Sequence, residues 1–293
     1  MSIYFAGTDQ FEILSREKRC NSFTPLQSDF TFEDCVLDWD LVLYSSNTRG
    51  FKSWFIKGII SKNCSLQIHP SEKYSGVGPS KGVIAGDKVY ILDQSNFQLY
   101  FVSIPHIVEK YLTENLLEFS MERVVFSEEI EPKILDISTC GKECFAIDSL
   151  GGIYAIPKLW CRMEGLQWSG IYSGYAFSLL RTDTGAVYSW GNGSRGELAC
   201  GGWHSLALTS DGDIYSWGWN EAGSAEDPVE KISVGARHSV AVLKSGKVFS
   251  WGSNKFGQLG LGDCENRAIP TQVNIPSVSR VHCGRWATLI LTV

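Results

Sequence analysis

Between residues 177 and 252 the chain writes one hydrophobic pattern three times. FSLLRTDTGAVYSWG (Phe177 to Gly191), HSLALTSDGDIYSWG (His204 to Gly218) and HSVAVLKSGKVFSWG (His238 to Gly252) align without a gap. Each opens on an alternating apolar run, turns at a glycine (Gly185, Gly212, Gly246), and closes on a second alternating run that ends in Trp-Gly (Trp190, Trp217, Trp251). A period of two places successive side chains on opposite faces of a strand. Two such runs across a Ser/Asp/Gly turn predict a β-hairpin, here repeated.

Fainter copies extend the series. GKECFAIDSLGGIYAI (Gly141 to Ile156) carries Cys144 at the histidine position, and GRWATLIL (Gly284 to Leu291) matches GGWHSLAL with Ala287 there. KGVIAGDKVYIL (Lys81 to Leu92) and DLVLYSSNTRGFKSW (Asp40 to Trp54) keep the strand-turn-strand rhythm. Counting from positions 40, 81, 144, 177, 204, 238 and 287 gives seven units of about 42 residues, the size of a four-stranded propeller blade. The last copy stops after the first strand of its hairpin, and the missing half stands at the other end of the chain. IYFAGTDQFEIL (Ile3 to Leu14) matches VFSWGSNKFGQL (Val248 to Leu259), pairing Gly7 with Gly252, Phe11 with Phe256 and Leu14 with Leu259. The expectation is an all-β, single-domain, seven-bladed β-propeller over 1–293, with strong repeats at 172–293, degenerate ones at 1–157, and the last blade closed by the N-terminal strand. Such closure removes open sheet edges and ties down both ends.

Two segments depart from the rhythm. Trp190 and Trp217 stand 27 residues apart and Trp217 and Trp251 stand 34 apart, against 49 between His238 and Ala287. Blades that short would lack an outer strand and expose unpaired backbone, which counts against reading them as complete. HIVEKYLTENLLEF (His106 to Phe119) has apolar residues at 107, 108, 111, 112, 116 and 119. That spacing fits a helical insertion, and the same stretch could serve as a blade's outer strand.

Composition narrows the function classes. At 44% apolar and 20% charged, the chain has enough apolar surface to build a substantial core. A net charge of -6 supplies no broad cationic field, so direct nucleic-acid and anionic-membrane binding are not expected, while a local basic patch stays open. No CxxC pair occurs among nine cysteines, and Met1 to Asp9 has neither a basic nor a long apolar run. Reduced thiols and a nuclear or cytoplasmic setting follow as expectations.

Candidate chemistry dissolves into the repeat. His204-Ser205 and His238-Ser239 pair a hydroxyl with a base, but neighbours on one strand point to opposite faces. Phe177, Cys144 and Ala287 fill the same slot in sister copies, so it reads as a packing position. Cys140, Cys200 and Cys283 each precede the repeat's glycine and would lie in separate blades, away from metal-ligand distance. GLGDCENR (Gly260 to Arg267) has no phosphate-loop lysine and reads as a blade connection. Catalytic residues, cofactor and metal are all expected to be absent, and the protein to be no enzyme.

SWGSNKFGQLGLGD (Ser250 to Asp263) and GGWHSLALTSDGDIYSWGWNEAG (Gly201 to Gly223) resemble the repeat of the regulator of chromosome condensation family, a seven-bladed β-propeller. Trp-Gly, an Asn two residues on, Gly-Gln-Leu-Gly and Gly-x-x-His-Ser make the pattern specific. Within the family the chain is most similar to the small "domain-containing protein 1" type, at Tyr4 to Gly7, Gly201 to Ser205, Gly218 to Glu221 and Cys283 to Trp286. That resemblance implies a non-catalytic adaptor for a Jumonji-C oxygenase, an Fe(II) and 2-oxoglutarate enzyme, with links to histone methylation and chromosome segregation. The family also implies an alternative, guanine-nucleotide exchange on a small GTPase.

One slot of the repeat points to recognition. Just before the histidine position stand Trp203, Arg237 and Trp286, with Glu143 in an earlier copy. These lie in loops entering a strand, on one rim, and Trp and Arg are the side chains that most often anchor interfaces. With Arg285, and with Trp219 and Asn220 after a Trp-Gly, they form the predicted partner-binding set. By itself the chain is expected to be a monomer.

Overall fold

In a computed structural model of the chain, the described residues are 3–8, 19–25, 34–37, 41–48, 51–57, 65–70, 80–128, 130–163, 165–174, 177–191, 197–200, 204–208, 214–218, 229–276 and 278–292. The N-terminus supplies β1 (Ile3–Thr8) and β2 (Arg19–Pro25). Blade 1 is β3 (Asp34–Leu37), β4 (Val42–Thr48), β5 (Phe51–Lys57) and β6 (Ser65–Pro70). Blade 2 is β7 (Ser80–Ala85), β8 (Lys88–Asp93), β9 (Gln98–Ser103) and, after the helix α1 (Ile104–Glu114), β10 (Glu118–Arg123). Blade 3 is β11 (Ile134–Thr139), β12 (Cys144–Asp148), β13 (Gly152–Ala155) and β14 (Lys158–Arg162).

Among the described residues, blades 4 and 5 have three strands each: β15 (Trp168–Ser173), β16 (Phe177–Thr182) and β17 (Val187–Gly191), then β18 (Glu197–Cys200), β19 (His204–Leu208) and β20 (Ile214–Gly218). Blade 6 returns to four with β21 (Val229–Val234), β22 (His238–Leu243), β23 (Val248–Gly252) and β24 (Arg267–Val273). The last strands, β25 (Val278–Cys283) and β26 (Ala287–Thr292), join β1 and β2 in the order β2-β1-β26-β25. Two N-terminal strands, rather than one, therefore complete blade 7. The innermost strand of every blade touches that of the next, β3–β7–β11–β15–β18–β21–β25 and back to β3, so the ring closes.

The repeat alignment and the register agree. His238 stands opposite Gly252, His204 opposite Gly218, Phe177 opposite Gly191, and Ala287 opposite Gly7 of the distant N-terminus. The copy at Lys81 to Leu92 is the exception, because it spans the first and second strands of its blade. Ala85 pairs with Lys88 across a two-residue turn at Gly86 (φ 61), which carries the glycine that marks the second turn elsewhere. The true second turn of blade 2 contains no glycine and uses Phe97 at φ 60.

Stacked blade faces form the core, since second strands such as β8, β22 and β26 are buried on both faces. Leu289 and Leu291 of blade 7 pack on Val42 and Tyr44 of blade 1, while Ile290, on the opposite face, meets Val240, Val242 and Val248 of blade 6. Trp54 of blade 1 is 1% exposed, and a Cβ on Gly82 would lie 2.7 Å from its ring, so only glycine lets blade 2 approach. The segment at 106–119 is both things its sequence allowed. It forms α1, with Pro105 in the first turn, Ile107 buried and Asn115 ending it in the left-handed conformation, and then starts β10. β10 first pairs in parallel with β6 of the neighbouring blade, Phe119 beside Ile68, before joining β9.

Among the described residues, the short spacing at 190–217 leaves blade 4 without an outer strand. Only residues 192–196 separate β17 from β18, too few to run a strand back along β17 and cross to the next blade.

Closure predicts that deleting residues 1–8 removes the cooperative unfolding transition, because blade 7 then keeps two strands with an open edge. Circular dichroism melting checks this, and a sharp transition at an unchanged midpoint would contradict it. Leu289→Ala, at a site with no exposed surface, is expected to cost about 2–5 kcal/mol in denaturant unfolding.

Candidate partner-binding rim

Strand alternation assigns each loop to a rim. First-to-second and third-to-fourth connections emerge on one side of the ring, and second-to-third turns on the other. Arg237 (β21–β22), Arg285 and Trp286 (β25–β26) therefore share a rim with the β23–β24 connection and with α1. Main-chain bonds stitch three of these loops together: Ala236 N–H donates to Arg285 C=O at 3.2 Å, and Ser253 N–H to Arg237 C=O at 2.7 Å. Arg237 and Arg285 are exposed and Trp286 is half-buried. Of the other predicted site residues, Trp203, Trp219 and Asn220 lie outside the described residues.

Two residues that the repeat slot did not flag complete this patch. Trp286 packs edge-on against Phe256, ring centroids 5.1 Å apart, and the Lys255 ammonium sits 5.9 Å from the Phe256 ring. Lys255 is exposed, so the linked loops present three exposed cations, Arg237, Lys255 and Arg285, on a protein of net charge -6. The signal for Lys255 and Phe256 was available, since a third-to-fourth connection must reach the same rim as the histidine loops. Arg285 also extends inward: its Nη2 would lie 3.5 Å from a Cβ on Gly141, in the corresponding loop of blade 3.

The Asn-x-x-Gly-Gln-Leu-Gly segment fixes Phe256. Buried Asn254 donates through its amide to the Asp263 C=O and carboxylate at 3.0 Å each, and its Oδ1 accepts from Leu259 N–H at 2.9 Å. Gln258 Oε1 accepts from Phe256 N–H at 2.9 Å. Gly257, Gly260 and Gly262, at φ 79, 68 and 89, take the left-handed turns this compact loop needs. The Glu265 N–H, with Arg267 beside it, holds the Asp263 carboxyl below the usual carboxylate range. The loop is thus a rigid pedestal for its aromatic tip.

His238 belongs to the clamp beneath the rim. It has no exposed surface, and its Nε2 lies 2.9 Å from Thr288 Oγ1 in blade 7, which in turn donates to Gln258 C=O at 2.8 Å. A Cβ on Gly235 would fall 2.1 Å from the His238 ring and 2.4 Å from Gly284 C=O, so the loop glycine makes room for the imidazole and for the neighbouring loop. One histidine ties blade 6, blade 7 and the pedestal together. The packing reading of this slot therefore holds for His238; the His204 side chain lies outside the described residues.

The thiols follow the same logic. Cys144 fills the histidine slot of blade 3, and burial pushes its thiol far up. Cys283 Sγ lies 4.0 Å from Thr288 Oγ1, its backbone N–H donates to Ser233 Oγ at 2.9 Å, and burial pushes its thiol up to about 12. Among the described residues no group of three His, Cys, Asp or Glu side chains is placed to hold a metal ion, and no helix is long and apolar enough to cross a membrane.

Residues 245–291 match a regulator of chromosome condensation (RCC1) repeat model, and 168–197, 197–224 and 229–258 match a second model of the same description. No curated protein matches the chain. Among solved structures, human WBSCR16 superposes with a TM-score of 0.69 at 16% identity, over 100% of both chains. The complex of Kap60 with yeast RCC1 (Prp20) gives 0.73 at 14% identity, over 99% of this chain and 88% of that one. Prp20p from Saccharomyces cerevisiae gives 0.73 at 14%, over 99% and 90%. The fold is that of an RCC1-like β-propeller, with RCC1-type repeats in the later blades.

Two outcomes check this account of the rim. Thr288→Val removes the hydroxyl shared by His238 and Gln258 and is expected to cost about 1–3 kcal/mol of stability, read by denaturant melts. Iodoacetamide at pH 8 is expected to label exposed Cys264 in the native protein and to spare Cys144 and Cys283, read by peptide mass spectrometry.

Proposed function

We propose that this propeller is a non-catalytic adaptor that binds a protein partner through the rim built by Arg237, Arg285, Trp286, Lys255 and Phe256. The observation that carries the proposal is their convergence: exposed cations and an aromatic pair, from three loops of two blades, on a pedestal held by buried hydrogen bonds. Aromatic and arginine side chains on a preorganised scaffold lose little freedom on docking, and the cations favour a partner surface that is acidic. Trp203 joins the set through its place in the repeat.

The partner we propose is a Jumonji-C oxygenase, with the Fe(II) and 2-oxoglutarate chemistry residing in that enzyme. The adaptor would act with it in the nucleus or cytoplasm, in histone methylation and chromosome segregation. This reading is supported by the motif resemblance at Tyr4 to Gly7, Gly201 to Ser205, Gly218 to Glu221 and Cys283 to Trp286. A second reading, nucleotide exchange on a small GTPase, draws on the fold shared with Prp20p, a protein described together with its binding to Gsp1p and histones.

Affinity purification of the tagged protein from its native cells at physiological salt, followed by mass spectrometry, separates the two. A stoichiometric Jumonji-C oxygenase is the expected result; a small GTPase or histones in its place would favour the second. Replacing Trp203, Arg237, Arg285 and Trp286 together by alanine is expected to weaken the partner at least about a hundredfold, by calorimetry. Unchanged affinity would remove the rim from the account.

A further inference from the structure

In five blades the third strand is covered by a fourth, but among the described residues nothing pairs with the outer side of β17 in blade 4. The fourth strands are built as edges. β24 carries Arg267 and Pro270, β14 carries Lys158 and Arg162, and β2 carries Arg19 and Pro25, the charges and prolines that keep an edge from recruiting another strand. β17 reads VYSWG, with neither charge nor proline. Its sequence is that of an interior strand. Tyr188 is accordingly 40% exposed and rests edge-on against Trp168, whereas its counterpart in blade 6, Phe249, is half-buried opposite Gln272 of β24.

We propose that β17 is a docking edge for an extended segment of a partner protein, which adds antiparallel to it and supplies the fourth strand that blade 4 lacks. The hydrogen-bonding groups are in place. Thr182 N–H donates to Ala186 C=O at the hairpin end, and antiparallel alternation then turns the N–H and C=O of Val187 and Ser189 outward. Blade 6 shows what such a strand looks like: Val273 lies opposite Val248 and is buried, Gln272 and Thr271 lie opposite Phe249 and Ser250, and the outward residues are polar. By register the incoming segment needs one small or β-branched apolar residue opposite Val187 and polar residues beyond it. A single strand from a partner is the occupant, because in blades 3 and 6 this same edge is filled by one antiparallel strand, β14 on β13 and β24 on β23. The site is on the outer face and stands independently of the rim and of the partner proposed for it.

The test uses the full chain and a labelled peptide of residues 265–275, ENRAIPTQVNI, the segment that completes blade 6. Saturable binding by fluorescence anisotropy is expected, with slowed amide exchange at Val187 and Ser189. Ser189→Pro deletes an outward N–H and spares the bonds to β16, and is expected to weaken the peptide about tenfold or more at an unchanged melting temperature. If that variant does not fold, the exchange map of the unaltered protein decides. Absence of saturable binding, protection confined to another blade, or protection of β17 by self-association without peptide would each overturn the proposal.

Discussion

Everything in this molecule depends on the pairing of β1 with β26, residues 3–7 against 287–291. A propeller blade buries both faces only if neighbours flank it on both sides, so a ring with one gap exposes two apolar sheets. Blade 7 is where the gap would open. Leu289 and Leu291 face blade 1 while Ile290 faces blade 6, and one strand therefore carries both contacts across the closure. The N-terminal segment holds that strand from its outer side.

The same junction organises the rim. Thr288 sits on the closing strand, and through it His238 and the Gln258 carbonyl are brought to one hydroxyl. The loops that present Arg237, Phe256, Arg285 and Trp286 are fixed by groups buried directly below them. The buried slot that holds His238 takes Cys144 or Ala287 in other blades without changing the fold, while the position before it, at the rim, takes Arg237, Trp286 or Glu143.

Much of the architecture was legible because hairpins announce themselves by period and turn. The gapless match of Ile3 to Leu14 with Val248 to Leu259 placed Gly7 opposite Ala287 across most of the chain, as the register has it. Blade 2 was misphased because Gly86 marks its first turn, while its second relies on Phe97 in a left-handed conformation that glycine-based rules do not seek. The three strands of blade 4 are hard to read from sequence because a bare sheet edge is unfavourable in an isolated protein. Of the proposed rim, the repeat slot points to Arg237 and Trp286, with Arg285 beside it; Lys255 and Phe256 sit in a motif whose loop direction shows only once the strands are in order.

Ring closure can be tested directly by linking the two strands covalently. Tyr4 and Ile290 stand opposite each other, so Tyr4→Cys combined with Ile290→Cys is expected to form a disulfide under mild oxidation, verified by peptide mapping. The bond would close a loop of almost the whole chain and raise the melting temperature relative to the reduced form. Failure of the two thiols to join in the folded protein would contradict the account at its root.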